Sequence, residues 1–320
     1  MIFLRRIVSI MVAGFIVLST GITYAQSASG QSANGFRISP VRNDITIEKG
    51  TSRTLTIMVE NPSNLPLKAK AVINDFIASA TESGEPQLLL DGNDAPSHSL
   101  RKLVQAVPVT DLAPNERKEV KVTIVVPVNA AAGGYYGAVR FLPADTKSGA
   151  NVALTASVGS IFLVNVPGNI KEHLELVQFS AASNGIARSV ITSGQVSIIT
   201  RLRNDGDTHE KPFGNIQVKN SKGKVVAEQE INNIEPKSNV LPSSIRKFET
   251  KLKDSKWFGH YTVTASFGYD PSDSALINAK TSFWYVPAWL LAVIAVAAVA
   301  VIFAVYIIIR KMRRRSKRHQ

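Results

Sequence analysis

Among its 320 residues the sequence has no cysteine. No disulfide can staple its domains, no thiolate can act as nucleophile or zinc ligand, and lipid attachment through a cysteine is excluded. Each domain must stand on core packing alone, which calls for about 80 residues or more apiece. Histidine is scarce, five in all, at positions 98, 173, 209, 260 and 319. No two have the i, i+4 spacing of a helical zinc site, and His-Glu-x-x-His is missing. A Gly-x-Ser-x-Gly elbow and a phosphate-binding loop are absent as well. Ser-x-x-Lys occurs at Ser99, Ser221 and Ser244 without its companion motifs, and Asp91 and Asp94 flank a Gly-Asn pair that reads as a loop. The chain does not read as an enzyme, and neither cofactor nor metal is expected. Its single Asn-x-Ser match, Asn61-Pro62-Ser63, is blocked by the proline.

The two ends carry what the middle lacks. Arg5 and Arg6 precede an uncharged apolar run over 7–18, then small residues up to Ala25. This is the layout of a secretory signal, expected to span 1–25 and to be cut after Ala25; an uncleaved N-terminal anchor is the alternative. Residues 26–35 follow as a polar, flexible leader. At the other end no charge occurs over 281–309. A transmembrane helix is expected over 285–309, with Trp284, Tyr285 and Trp289 forming an aromatic belt at its entry. The tail 310–320 carries seven basic residues and no acid, among them Arg310, Lys311, Arg313, Arg314 and Arg315. Such a cluster stays on the cytoplasmic side, so the expected topology is a single span with the bulk of the chain outside the cell. The formal net charge is +13, but seven positive charges lie in the tail and two in the signal, leaving +4 on the remainder. The excess is therefore a topology and lipid-contact signal, and nucleic acid is not expected as a partner.

Between the ends, period-two alternation dominates. It places Leu55, Ile57 and Val59 on one face over 53–60, and Val120, Val122, Ile124 and Val126 on one face over 118–126. Residues 67–76 set Lys68 and Lys70 opposite Leu67, Ala69, Ala71 and Ile73. The run 152–166 has β-branched content that favours strand over helix. A second block repeats the texture at 195–204, at 216–228 around Ser221-Lys222-Gly223, and at 259–269. Turn residues punctuate both blocks. The expected fold is all-β: two immunoglobulin-like β-sandwich domains, 36–170 and 171–284, followed by the C-terminal transmembrane helix.

One pattern recurs in both blocks. A strand ends in Asn (Asn61, Asn204), small turn residues follow, and a Pro-containing segment comes much later. Asn61, Asn204, Gly206 and His209 are read as structural turn residues. Gly133-Gly134-Tyr135-Tyr136-Gly137 is the leading surface candidate. Its glycines let a backbone approach a partner closely, and adjacent tyrosines on a strand point to opposite faces. One tyrosine is then expected to face out and bind sugar or peptide; the alternative is a glycine bulge with a buried tyrosine. Gly134, Tyr135, Tyr136 and Gly137 are thus candidate ligand-binding residues. Trp257 is another, with core packing as its alternative.

The order of these features resembles the WxL-interacting proteins of Gram-positive cell surfaces. Over 38–142 the matching positions are Pro40, Gly50, Val59-x-Asn61-x-Ser63, Leu112 with Pro114, and Pro127 through Gly134 to Gly137. Over 186–286 they are Asn204, Gly206, His209, Pro212, Gly214, Leu241-Pro242 and Gly259-x-Tyr261. The resemblance implies a first domain associated with peptidoglycan and a second with partner or host proteins. The expected function is a non-catalytic, membrane-anchored adhesion or scaffold protein of a bacterial envelope, binding cell-wall polymer or a surface protein. A chaperone-like assembly factor for exported subunits is the alternative.

Overall fold

The computed structural model describes residues 35–90, 93–95, 98–144, 157–252, 258–269 and 276–316. The expected signal 1–25, the expected leader 26–35 apart from its last residue, the first part of the 152–166 run, and Trp257 lie outside them.

The first sandwich contains β1 (Arg37–Ser39), β2 (Arg42–Thr46), β3 (Ser52–Glu60), β4 (Leu67–Ala78), β5 (Pro86–Leu88), β6 (Thr110–Leu112), β7 (Arg117–Val125), β8 (Gly133–Pro143) and β9 (Val158–Val166). One sheet has the order β1-β3-β7, and the other β2-β9-β8-β4-β5 with β6 also on β4. The alternation in β3 and β7 is realised: Ile57, Val59, Val120, Val122 and Ile124 turn inward against Val139, Phe141, Phe162 and Val164 of the facing sheet. Each such side chain contributes about 1.5–3 kcal/mol by leaving water. Residues 103–105 bond to the C-terminal half of the β7 edge, and its N-terminal half is charged (Arg117, Lys118, Glu119, Lys121), which discourages edge-to-edge association.

The second sandwich comprises β10 (Leu174–Ser183), β11 (Ile186–Ala187), β12 (Val190–Ile191), β13 (Val196–Asn204), β14 (Phe213–Asn220), β15 (Val225–Ile231), β16 (Ser244–Lys251), β17 (Gly259–Gly268) and β18 (Ile277–Tyr285). Its sheets run β11-β10-β13-β16 and β12-β18-β17-β14-β15. Ile198, Ile216, Val263, Phe267 and Phe283 fill the space between them. Both sandwiches open in the same way. A first strand pairs antiparallel with the next long strand (β1 on β3, β10 on β13), and the chain then crosses to run parallel to the last strand (β2 on β9, β12 on β18). The fold is two immunoglobulin-like sandwiches in series.

A single helix ends the described chain, α1 (Ala288–Ser316). Its stretch Ala288–Arg310 is long and apolar enough to cross a membrane, and none of it is buried against the sandwiches. It starts later than the expected 285, because Trp284 and Tyr285 still pair with Val190 and Ile191 in the sheet. Pro287 then opens the helix, where its missing N–H costs nothing. Arg310, Lys311, Arg313, Arg314 and Arg315 prolong it by a further turn and a half.

Candidate functional site: the cleft between the sandwiches

The strand β8 lies between the two sandwiches. Its first seven residues are buried in succession, where a half-exposed strand would alternate. The inner face carries Tyr135 into the first core, its hydroxyl donating to Ala131 O at 3.1 Å and His98 edge-on at 4.9 Å. The outer face carries Tyr136 to the seam where the two sandwiches meet. There it packs with Phe76, Leu163 and Leu241. The expectation that one tyrosine faces out is therefore corrected: the two do point to opposite faces, but both faces are covered, one by each domain. Burial pushes both phenols above the ordinary tyrosine value, Tyr136 the further.

The adjacent glycines do serve a close approach, and the surface approached is the chain's own second domain. Gly134 N donates to Asp207 O at 2.9 Å. A Cβ on Gly133, whose φ is +130°, would come within 2.9 Å of the same carbonyl, and one on Gly134 within 1.8 Å of the Tyr136 hydroxyl. On the other side Gly206 is equally required, since its Cβ would lie 2.6 Å from Lys171 O. Gly137 belongs to the first domain, where Leu100 and Asn74 leave no room for a side chain.

Around this contact a polar seam closes one side. His209 has its Nδ1 3.3 Å from the Tyr136 hydroxyl and its Nε2 3.2 Å from Asp44. His209 is thus a bridge between the domains as well as a turn residue. Lys211 meets Asp44 at 2.8 Å, and Arg42 donates to Lys237 O and Asn239 Oδ1 at 3.0 and 2.9 Å. The far side is closed by the β4–β5 hairpin. Glu82, held at φ +59°, accepts from Arg201 Nε at 2.6 Å through its carboxylate, and its carbonyl accepts from Lys247 N at 2.9 Å. Arg201 draws the Glu82 carboxyl below its ordinary value.

Burial alone would raise the Asp44 carboxyl, but hydrogen bonds and charge from His209 and Lys211 outweigh it and hold the group well below the usual carboxylate range. A depressed folded-state value means that the stabilisation is present above the unfolded value near pH 4 and is lost as pH falls below it. Asp44→Asn is expected to lower the melting temperature at pH 7, with the gap to wild type closing below about pH 4. Thermal unfolding of the two proteins across pH 3–8 checks this.

Between the two closures a cleft of about 800 Å³ stays open. Its floor is Phe76, Tyr136 and Leu241, and Arg203, Asp205, Ser243 and Ser244 stand at its polar side. Of the sequence candidates, Gly134, Tyr136 and Gly206 meet here, with His209 just behind. Asn61 and Asn204 do not. Each is fully buried at the end of its strand and bonds its own turn and a distant carbonyl, Asn61 to Leu65 O and Ala113 O, Asn204 to Thr208 O and Val240 O. Sequence reasoning missed Asp44, Glu82, Arg201 and Arg203, and marked Leu241 only as a position of the family resemblance. Glu82 and Arg201 are 119 positions apart, and nothing local marks either as half of a pair. Among the described residues no group of three acidic or histidine side chains is arranged to hold a metal ion.

No protein-family model matches the chain, and no curated protein sequence matches it. Solved structures do show likenesses. A class 5 fimbriae chaperone, CfaA, is 15% identical with a TM-score of 0.39, over 77% of this chain and 98% of its own. A chaperone–tip adhesin complex of CFA/I fimbriae is 15% identical with a TM-score of 0.38, over 79% and 99%. The Escherichia coli chaperone DraB is 14% identical with a TM-score of 0.35, over 78% and 98%. These similarities are distant and do not extend to what this chain binds.

Proposed function

We propose that this chain is a non-catalytic, membrane-anchored protein that holds a segment of another exported surface protein in the cleft between its sandwiches, as an assembly factor does. The observation that carries this reading is the cleft itself. An apolar floor of Phe76, Tyr136 and Leu241, edged by polar groups from both domains, suits a polypeptide segment that alternates apolar and polar side chains. The seams at Asp44 and Glu82 keep its walls at a fixed distance, so little ordering cost attends binding. Cell-wall polymer is a weaker candidate, because Tyr135 is in the first core and Tyr136 meets the cleft with only 9% of its surface, too little for a sugar ring to stack on. Helix α1 is read as the anchor and its basic end as cytoplasmic, which leaves the cleft outside the cell.

A photo-crosslinking residue placed at Ser243 of the full-length protein in its native membrane tests the proposal. Adducts with an exported surface protein are expected, and Leu241→Arg should abolish them by placing a charge on the apolar floor. Adducts unchanged by Leu241→Arg, or binding to sacculi with no protein adduct, would refute it.

A further inference from the structure

On the outer face of the second sandwich, β18 presents Asn278, Lys280 and Ser282 to solvent. Where α1 departs, that face turns apolar. His260, Trp284 and Val190 stand side by side on β17, β18 and β12. Phe258, just before β17, has its ring 6.4 Å from that of Trp284, and His260 lies 5.2 Å from it. Phe258, Val190 and Trp284 are 56%, 49% and 47% exposed, so the row is open to whatever adjoins the base of the domain.

What adjoins it follows from the connection to α1. Only Val286 and Pro287 separate β18 from the helix. The join is pinned, since Trp284 N donates to Ser189 O at 2.8 Å and Val286 N to Ile191 O at 2.9 Å. The four residues from Trp284 to Ala288 can reach about 14 Å at full extension. The polar layer of a bilayer is about 5–8 Å deep on each side of the hydrocarbon. A helix that enters lipid near Ala288 therefore keeps Trp284 within about 14 Å of the hydrocarbon, in reach of that layer, and its strand neighbours with it.

We propose that Phe258, Trp284 and Val190 form a lipid-facing foot, by which the second sandwich rests in the headgroup layer instead of standing off on a linker. The inference rests on the membrane-anchor reading of α1. Aromatic rings with one polar edge suit this layer, and here they belong to the sheet, so they would fix the orientation of the whole domain and its cleft.

The chain has three tryptophans, so paired Trp→Phe substitutions leave one reporter at a time. The full-length protein is inserted into vesicles of phosphatidylcholine and phosphatidylglycerol carrying lipids brominated high on the acyl chain. With Trp257→Phe and Trp289→Phe, emission from Trp284 is expected to be blue-shifted and quenched. Adding Phe258→Ser and Val190→Ser should weaken that quenching. With Trp257→Phe and Trp284→Phe, Trp289 reports the anchor separately. Quenching of Trp289 with water-like, unquenched Trp284 overturns the foot and leaves the anchor standing. Blue-shifted but unquenched Trp284 means that protein, such as a second copy, covers the row, which also overturns it. Failure of both reporters removes the anchor reading and the foot together.

Discussion

Asn204→Ala is expected to lower the unfolding free energy by about 3–5 kcal/mol, the largest single-residue effect in the second sandwich. Asn204 has no solvent exposure. Its amide nitrogen donates to Thr208 O at 2.7 Å and Val240 O at 2.8 Å, and its oxygen accepts from Gly206 N at 2.8 Å. Alanine would strand the Thr208 carbonyl and the Gly206 N–H inside the protein, each costing about 1–3 kcal/mol without water to replace the lost partner, while Val240 O would keep only its bond from Glu210 N. Asn204→Asp should do no better, because it sets an acceptor against two carbonyl oxygens and buries a charge. The equivalent residue Asn61 bonds Leu65 O, Ala113 O and Ser63 N. Leu65 is 66% exposed, so water can take over part of that set, and Asn61→Ala should cost less. Urea unfolding of the detergent-solubilised full chain, followed by circular dichroism, measures both. A loss below 1 kcal/mol at Asn204 would contradict the account.

Tyr136→Ala is expected to cost a further large amount, about 3–5 kcal/mol, and to separate the unfolding of the two domains. The Tyr136 ring lies 6.0 Å from Phe76 and 5.7 Å from His209, with Leu163 and Leu241 in the same cluster. Removing it opens a void at the point where the sandwiches meet, and takes from His209 its partner across the seam. Calorimetry should then show two transitions where the wild type shows one. Tyr136→Phe keeps the ring and loses one hydrogen bond, so a loss of about 1 kcal/mol with a single transition is expected. Tyr135→Ala injures only the first core and should leave the coupling of the domains intact. An unchanged melting profile for Tyr136→Ala would remove Tyr136 from the seam.

These two side chains show how differently the sequence exposes its structure. The Asn204 role is written locally: an Asn at a strand end, small residues after it, and a proline-bearing segment opposite, the same arrangement as at Asn61. Short-range hydrogen-bonding geometry leaves few other ways to finish such a strand. The fate of Tyr136 is not local. Adjacent positions on a strand must face opposite ways, and they do. That one face lies under a second domain depends on a turn at 205–207, some 70 positions away, docking on Gly133 and Gly134.

The alternation of β3, β7 and β17, the two-sandwich class and the apolar helix at the C-terminal end were all determined by the sequence alone. Periodicity and long uncharged runs are properties of neighbouring residues, and water and lipid act on them directly. Tertiary structure alone decided that Asp44 meets His209, that Glu82 meets Arg201, and that Phe76, Tyr136 and Leu241 share one floor. Contacts between residues this distant along the chain are chosen by which surfaces fit once both sheets exist. No spacing along the chain encodes that fit.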